Sequence, residues 1–328
     1  MTTLDAQLMV GGYLHAQHCP VRADSSGSTR IAFSPRLFTA SWTPEGGPLD
    51  TEVHTEVYNR KRFRSIGGCQ SFVWATPDAT DLDLQEAVQR RGIPGLVSVL
   101  LPSRGRASMT HQSDPLRDSI NSLLMKAVGP IEILIATDPD DMETWRTCQR
   151  HRQLGWPLSI WEAPERYGYS RLNEYFNALE TRACGEWVLL WNDDARMLTE
   201  GWDQVLRQTP DETMIADLWI DGHSPDLCTF PAVRRHLIAK VGGGFSPWTC
   251  HCDTWWQDIG RALGVIRPVE IKVDHQRSDL RPGMHLDLTR REALSGYRSA
   301  EFYGEHVQSK MHEAIERAAQ ALYEEKYR

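Results

Sequence analysis

The sequence predicts an α/β protein built on a mostly parallel, Rossmann-like sheet flanked by helices, with a strand-rich region before it and a helix after it. Three observations carry this expectation. Residues 96–101, 131–136 and 187–191 are short, continuous apolar runs, as expected of strands buried on both faces. Segments of helical character lie between these runs, and strand, helix, strand at such spacing is the crossover unit of a parallel sheet. Each run is also followed by a polar turn, where open parallel sheets place their ligand sites.

Taken in order, residues 1–92 hold candidate strands at 30–33, 37–42, 53–58 and 71–75, separated by clusters of Gly, Pro and Ser. A helix is expected over 81–90, ended by Gly92, Pro94 and Gly95. This stretch reads as an accessory region, followed by a main domain over 93–280 and a helical extension over 281–328. Within the main domain, Pro102 bounds the first buried strand, and a helix over 115–128 leads to the second. A helix over 170–184, stopped by Gly185, leads to the third. The last core strand is expected near 269–273. In the extension, a helix over 301–326 places Val307, Met311, Ile315, Ala318 and Leu322 on one face. That stripe packs against this chain or against a second copy in a homo-oligomer. Its opposite face mixes Glu with Lys and Arg, which disfavours a lipid surface.

Composition narrows the function classes. With 41% hydrophobic and 24% charged residues, the 328-residue chain has the material for a sizeable core. A net charge of -8 gives no overall field for a phosphate polymer. No apolar run approaches a membrane span, and the first residues lack a signal-peptide pattern, so a cytoplasmic protein is expected. The seven scattered cysteines read as reduced thiols, and Cys250, His251 and Cys252 lack the spacing of a structural zinc site. Most of the twelve tryptophans are expected in the core. Neither GxGxxG nor GxxxxGK(S/T) accompanies these strands, which lowers dinucleotide oxidoreductase and P-loop readings.

The chemistry gathers after the apolar runs. Pro102, Ser103, Arg104, Gly105 and Arg106 follow the first, Thr137, Asp138, Pro139, Asp140 and Asp141 the second, and Asn192, Asp193 and Asp194 the third. One such cluster is ordinary, since Asp caps helices and Arg decorates loops. Three on one sheet edge form a nucleotide site: carboxylates accept from base and ribose donors, while a carboxylate-held metal neutralises a diphosphate.

These motifs resemble glycosyltransferase family 2 over about residues 96–276. The family's GT-A domain opens with a strand and a turn containing Pro, Ser or Thr, and Arg, matched by LLPSRGR at 100–106. ILIATDPDD at 133–141 is similar to its acidic nucleotide loop, which implies that Asp138 binds the base while Arg104 or Arg106 helps to position the nucleotide. The helix carrying Ser170, Arg171, Leu172 and Asn173, followed by GEWVLLWNDD at 185–194, resembles the family's Gly-Glu, strand, acidic signature. The usual Asp-any-Asp stands here as Asn192, Asp193 and Asp194. The resemblance implies that Asn192 contacts ribose and Asp194 binds Mn2+ or Mg2+, with Asp193 able to share that work. CHCDTWWQDIG at 250–260 looks like the segment bearing the general base, which falls on Asp253; its ordinary alternative is a helix N-cap. His275, after the last core strand, stands where many GT-A enzymes bring a histidine to the metal or diphosphate, with Asp274 as a competing ligand.

The function so implied is metal-dependent, inverting transfer of a sugar from a nucleoside diphosphate donor, most commonly UDP-linked, to an acceptor hydroxyl. Glycan, lipid-linked saccharide, protein and small-molecule acceptors all fit, and a modified DNA base is disfavoured by the acidic charge. The alternatives are a nucleotidyltransferase with a similar acidic metal site, and a non-catalytic glycan-binding or scaffold protein that retains a degenerate transferase domain.

Overall fold

The computed structural model describes residues 9–10, 22–23, 29–30, 55–58, 61–66, 71–75, 91–105, 115–153, 156, 158–220, 227–242, 244–247, 251–276 and 308–327. The N-terminal region contributes β1 (Met9–Val10), β2 (Arg22–Ala23), β3 (Thr29–Arg30), β4 (Thr55–Tyr58), β5 (Lys61–Ile66) and β6 (Ser71–Ala75). A four-stranded sheet runs β1-β6-β5-β4, and β2 pairs with β3. The expected strands near 55–58 and 71–75 are present, and β5 between them went unexpected. The expected strands at 30–33 and 37–42 and the helix at 81–90 lie largely or wholly outside the described residues.

The main sheet begins with β7 (Ile93–Pro102), α1 (Pro115–Lys126), β8 (Ile131–Thr137), α2 (Met142–Gln153) and β9 (Leu158–Glu162). A single 3-10 turn at Tyr169–Arg171 leads into α3 (Leu172–Glu180), β10 (Gly185–Leu190), β11 (Ala195–Met197) and α4 (Trp202–Gln208). The chain continues through β12 (Ile215–Ile220), β13 (Pro231–Arg234), α5 (Arg235–Val241), α6 (Cys252–Leu263) and β14 (Ile266–His275), and α7 (Gln308–Tyr327) closes it. Eight strands are ordered β11-β14-β12-β13-β10-β7-β8-β9. β7 is parallel to both β8 and β10, β8 to β9, and β12 to β14, while β13 and β11 run against their neighbours. The sheet is therefore mostly parallel, as the sequence predicts.

The central strands read as unbroken apolar runs because both faces are covered: every residue of β8 is buried. Burial leaves polar groups that must be paired. Glu132, 1% exposed, accepts from Ser98 Oγ and from the Cys184 amide, each at 2.6 Å. Ser98 Oγ in turn accepts from the Gly185 amide at 2.7 Å, so one carboxylate ties the starts of β7, β8 and β10 together. At the turn from α1 to β8, the buried Asp203 accepts from the amides of Val128 (2.9 Å) and Gly129 (2.7 Å) and pairs with Arg207 at 2.6 Å. Trp187, Trp191, Trp202 and Trp256 are fully buried, in line with the expectation for tryptophan, whereas Trp219 is 49% exposed. Cys148, Cys228 and Cys252 are free thiols, as expected; Cys184 departs from that reading and is disulfide-bonded.

Two boundaries differ from the sequence reading for physical reasons. The third helix ends at Glu180 rather than 184, and Gly185 starts β10 instead of stopping α3. A Cβ on Gly185 would stand 2.6 Å from Ser98 Oγ, 2.7 Å from the Ser98 amide nitrogen and 2.8 Å from the Leu96 carbonyl oxygen. Close strand approach, rather than a turn, requires glycine here. The stripe of α7 buries Ala314 and Ala318 and packs Met311 and Ile315 against the core of its own chain. Lys240 of α5 pairs with Glu325 at 2.8 Å, and Arg317 donates to the Val241 carbonyl at 3.0 Å. Of the two packings expected for this face, the one against its own chain is present, while Val307 lies outside the described residues. No helix among the described residues is long and apolar enough to cross a membrane.

The Gly185 contact makes a stability prediction. Gly185→Ala forces β10 away from backbone atoms of β7, and overpacking of this kind costs about 1–3 kcal/mol. Denaturant unfolding is expected to show that loss, and a variant as stable as the parent would mean that the two strands separate freely at this point.

Candidate active site

All three polar turns foreseen in the sequence lie at one end of the sheet, because β7, β8 and β10 are parallel. The order β10-β7-β8-β9 also places the change of winding direction between β7 and β10, and open α/β sheets leave a crevice at such a switch point. Ser103 bridges that crevice by donating its hydroxyl to Asp193 Oδ2 at 2.8 Å. Asp193 is thereby tied to the first loop, and Pro102 ends β7 directly beside it.

His275 reaches the same place from a distant part of the chain. It ends β14, pairs with Ala195 across β11, and sits beside the turn at Asn192–Asp194 because the Gln276 amide donates to the Asp194 carbonyl at 2.8 Å. Its Nε2 stands 3.2 Å from Asp194 Oδ1 and 3.3 Å from Asn192 Nδ2. Phe230 packs edge-on against the imidazole at 5.0 Å between centroids, and Trp191 tilts against Phe230 at 5.0 Å. The Trp191 indole donates to Ser119 Oγ at 2.9 Å, which fixes the residue preceding Asn192. Asp274, the competing ligand, alternates to the other face of β14 and accepts from the Gln276 side chain at 3.1 Å.

The Asp194 and His275 pair suits a divalent cation. Two neighbouring ligands of one ion bound at about 2.1 Å stand roughly 3 Å apart, close to the spacing seen. A single imidazole nitrogen also carries either one lone pair or one hydrogen, so it cannot accept from Asn192 and donate to Asp194 together. A cation held by Nε2 and Asp194 would take the single lone pair of that nitrogen in place of the contact to Asp194, and Asn192 would then donate to another acceptor. Among the described residues no group of three or more His, Cys, Asp or Glu side chains converges on one point. The protein would therefore supply two ligands and leave the rest to substrate oxygens and water, the usual pattern where phosphates share the ion. A mixed nitrogen and oxygen set favours Mn2+ over the strictly oxygen-seeking Mg2+.

The acidic loop after β8 is organised by Arg104. Its Nη1 donates to Asp138 Oδ2 at 2.7 Å and to Asp140 Oδ1 at 2.5 Å, and its Nη2 donates to Asp140 Oδ2 at 2.8 Å. The bond to Asp140 is the largest of the influences raising the Arg104 pKa above its ordinary value. Asp141 caps α2 through the Thr144 amide at 3.2 Å and holds the first loop through the Gly105 amide at 2.7 Å. Asp138 is only 2% exposed, and its second oxygen accepts from the Tyr175 hydroxyl. The carboxylate expected to read a base therefore has both oxygens engaged within the chain and no open edge. Tyr175 carried no polar signal in the sequence, where its spacing in α3 marks only an inward-facing aromatic.

Arg171 caps the outer side of this rim, stacked over Tyr167 at 4.1 Å and paired with the exposed Glu165 at 2.6 Å. Asn173 follows in the first turn of α3, half-buried, two residues before Tyr175. Arg106 lies outside the described residues.

Asp253 occupies the first turn of α6 and is not its N-cap, which is His251 with φ 71°. The alternative reading of Asp253 as the N-cap is corrected accordingly: its Oδ1 accepts from the adjacent Thr254 amide at 2.8 Å. The following Trp255 and Trp256 are buried in the core, and burial pushes the Asp253 carboxyl above its ordinary pKa. Cys228, whose thiol is raised first by burial, lies within electrostatic reach of Asp253 and of Asp217 on β12. Two residues later Phe230 contacts His275.

No protein-family model matches the chain, and no curated protein matches it in sequence. Solved structures similar to it include Staphylococcus aureus TarS 1–349 in complex with UDP, at 13% identity and a TM-score of 0.42, covering 56% of this chain and 58% of that one. Mannosyltransferase PcManGT from Pyrobaculum calidifontis, in complex with GDP-Man and Mn2+, is 17% identical with a TM-score of 0.44 and covers 69% and 74% of the two chains. GalNAc-T7 with UDP, GalNAc and Mn2+ is 10% identical with a TM-score of 0.46 over 67% and 55%. The present chain thus spans little more than half of the TarS fragment. At these identities and scores the likenesses add nothing to what the sheet and its edge display by themselves.

Burial of Asp253 makes a pH prediction. Because its folded pKa is raised, the folded state binds the proton more tightly than the unfolded chain. The residue therefore favours folding at low pH, and that contribution is lost as pH rises through the folded pKa. Asp253→Asn keeps the acceptor for the Thr254 amide and removes the charge from this half-buried position. Its thermal midpoint is expected to exceed that of the parent at neutral pH and to converge with it below about pH 4, the ordinary Asp value. Parallel curves for the two proteins across this range would refute the assignment.

Proposed function

We propose that this chain is a metal-dependent, inverting glycosyltransferase of the GT-A type, moving a sugar from a nucleoside diphosphate donor to an acceptor hydroxyl. The observation that carries the reading is the meeting of Asp194 Oδ1 and His275 Nε2, 3.2 Å apart, at the switch point of a parallel sheet. Arg104, just after β7, pairs with Asp138 in the neighbouring loop, and Asp253 stands in the first turn of α6 with its carboxyl pKa raised by burial.

In this reading Asp194 and His275 hold Mn2+ or Mg2+, with Mn2+ the better match to their donor atoms. When bound, the ion supplies Lewis acidity toward the departing diphosphate. Asn192, beside the pair, faces the ribose. Ser103 and Asp193 keep the first and third loops at a fixed separation by their mutual hydrogen bond, and Pro102 stiffens the first loop at its start. Arg171 and Asn173 border the donor from the helix side. UDP-sugars are the donors that the sequence resemblance favours.

Asp253 takes the proton. The acceptor oxygen attacks the anomeric carbon as its O–H proton passes to the Asp253 carboxylate, and the bond from that carbon to the diphosphate oxygen breaks on the opposite face. One displacement inverts the configuration. A carboxyl whose pKa is raised by burial is a stronger base than an exposed one.

Two measurements test this. Titration calorimetry with UDP is expected to show Mn2+-dependent binding to the parent and its loss in a folded Asp194→Ala variant; unchanged metal-linked binding would remove Asp194 from the site. For Asp253→Asn, donor binding is expected to persist while transfer falls about 100-fold or more, the usual scale of general-base catalysis. Turnover near that of the parent, with chemistry rate-limiting, would exclude Asp253 as the base.

A further inference from the structure

Arg104 has five N–H groups, and the structure accounts for three of them. Asp140 is held end-on by one hydrogen from Nη1 and one from Nη2, and the second Nη1 hydrogen goes to Asp138. The two that remain, on Nε and Nη2, share one edge of the guanidinium and form a fork suited to a pair of acceptor atoms. The side chain is 25% exposed, whereas that of Asp138 is 1% exposed. Of the two partners, only the guanidinium offers surface to a ligand.

Asp140 holds the end of the guanidinium, and Tyr175 bears on the direction of the fork through Asp138. The Tyr175 hydroxyl oxygen accepts from the amides of Gly168 at 2.8 Å and Tyr167 at 3.1 Å, so its single proton is directed to Asp138 Oδ1. Tyr175 is 6% exposed, its ring tilted against Tyr167 at 5.2 Å, and burial together with the bond to Asp138 keeps the phenol protonated far above its ordinary range. Asp138 is thereby fixed on one oxygen, and its other oxygen fixes Arg104.

We propose that Tyr175 is a positioning residue for the nucleotide: through Asp138 it aims the free edge of Arg104, which takes two adjacent acceptor atoms of a nucleoside diphosphate, while Asp138 itself touches no ligand. The inference rests on the reading of the crevice as a nucleotide site, and it reassigns recognition from the buried carboxylate to the exposed guanidinium. Asp138 and Asp140 outweigh the one charge of Arg104, so binding at the fork depends on hydrogen-bond direction more than on net charge. A misaimed side chain then costs affinity even with its charge intact.

The test uses the full chain and two readouts. Without ligand, the side-chain Nε–H signal of Arg104 in nitrogen-15 NMR is expected to be sharp and slowly exchanging in the parent, and averaged or lost in Tyr175→Phe, which keeps the ring packing. With Mn2+ present, calorimetry is expected to show UDP and GDP binding weakened about tenfold in Tyr175→Phe, the scale of one hydrogen bond to a charged group. Arg104→Lys, at a partly exposed position, is expected to lose at least as much while remaining folded. Tyr175→Phe should add nothing further in an Asp138→Asn background, since both changes break the same chain of contacts. Equal losses for UDP and GDP in Arg104→Lys place the fork on the diphosphate; a changed ranking places it on the base, and either supports the proposal. An Arg104 signal unaffected by Tyr175→Phe overturns it, as does unaltered nucleotide affinity in Arg104→Lys. Should the folded parent bind neither nucleotide, the transferase reading falls, and the NMR comparison still decides whether Tyr175 positions Arg104.

Discussion

The parallel pairing of β7 with both β8 and β10 is the constraint from which the rest of the site follows. Parallel strands deliver their following turns to the same edge, so three polar segments separated by dozens of residues in sequence become neighbours. That alignment is held by buried polar contacts as well as by apolar packing. Glu132 gathers Ser98 and the Cys184 amide, and Ser98 receives Gly185, at the opposite ends of the strands from the site. Anchored there, the strands need short turns at their far ends to complete a binding edge.

Charge at that edge is handled in two different ways. On one side, the carboxylates of Asp138 and Asp140 are drawn to a single guanidinium, and Asp138 is withdrawn from solvent altogether. On the other side, Asp194 keeps some exposure and faces an imidazole rather than an arginine. An aspartate already paired with arginine is poorly placed to ligate a cation, because the guanidinium occupies its lone pairs and repels the incoming charge. In the proposed reading, this division leaves Asp194 rather than Asp138 to the metal. Asp193 accepts from Ser103, and Asp138 from Arg104 and Tyr175.

Asp253 illustrates how packing alters a side chain's chemistry without a charged partner. Its helix buries Trp255, Trp256 and Ile259 against the sheet, and this draws the first turn of α6 into a poorly solvated place. The backbone amide of Thr254 offsets part of the loss, yet burial dominates and the carboxyl titrates above its ordinary value. A carboxyl so raised is the stronger base once ionised, one of the properties that the proposed general-base role needs.

Much of the architecture was legible in the residues themselves. Both-face burial writes a continuous apolar run, so β7, β8 and β10 could be found within a few residues, and parallel topology then put the turns at 102–106, 137–141 and 192–194 on one edge. The short strands β9, β11, β12 and β13 left no comparable mark, since half-buried or brief strands borrow their stability from neighbours. Glycine carried the opposite ambiguity: Gly185 reads as a helix stop, and only the approach of Ser98 and Leu96 reveals a strand contact. The residues of the proposed site were named in sequence, but their partners were not. That Asp138 is sealed by Tyr175 and Arg104, that Asp194 meets His275, and that α7 folds back on its own chain are consequences of distance in space. Sequence fixes which groups are available, whereas hydrogen bonding and desolvation act over a few ångströms, and only the tertiary fold determines which groups come that close.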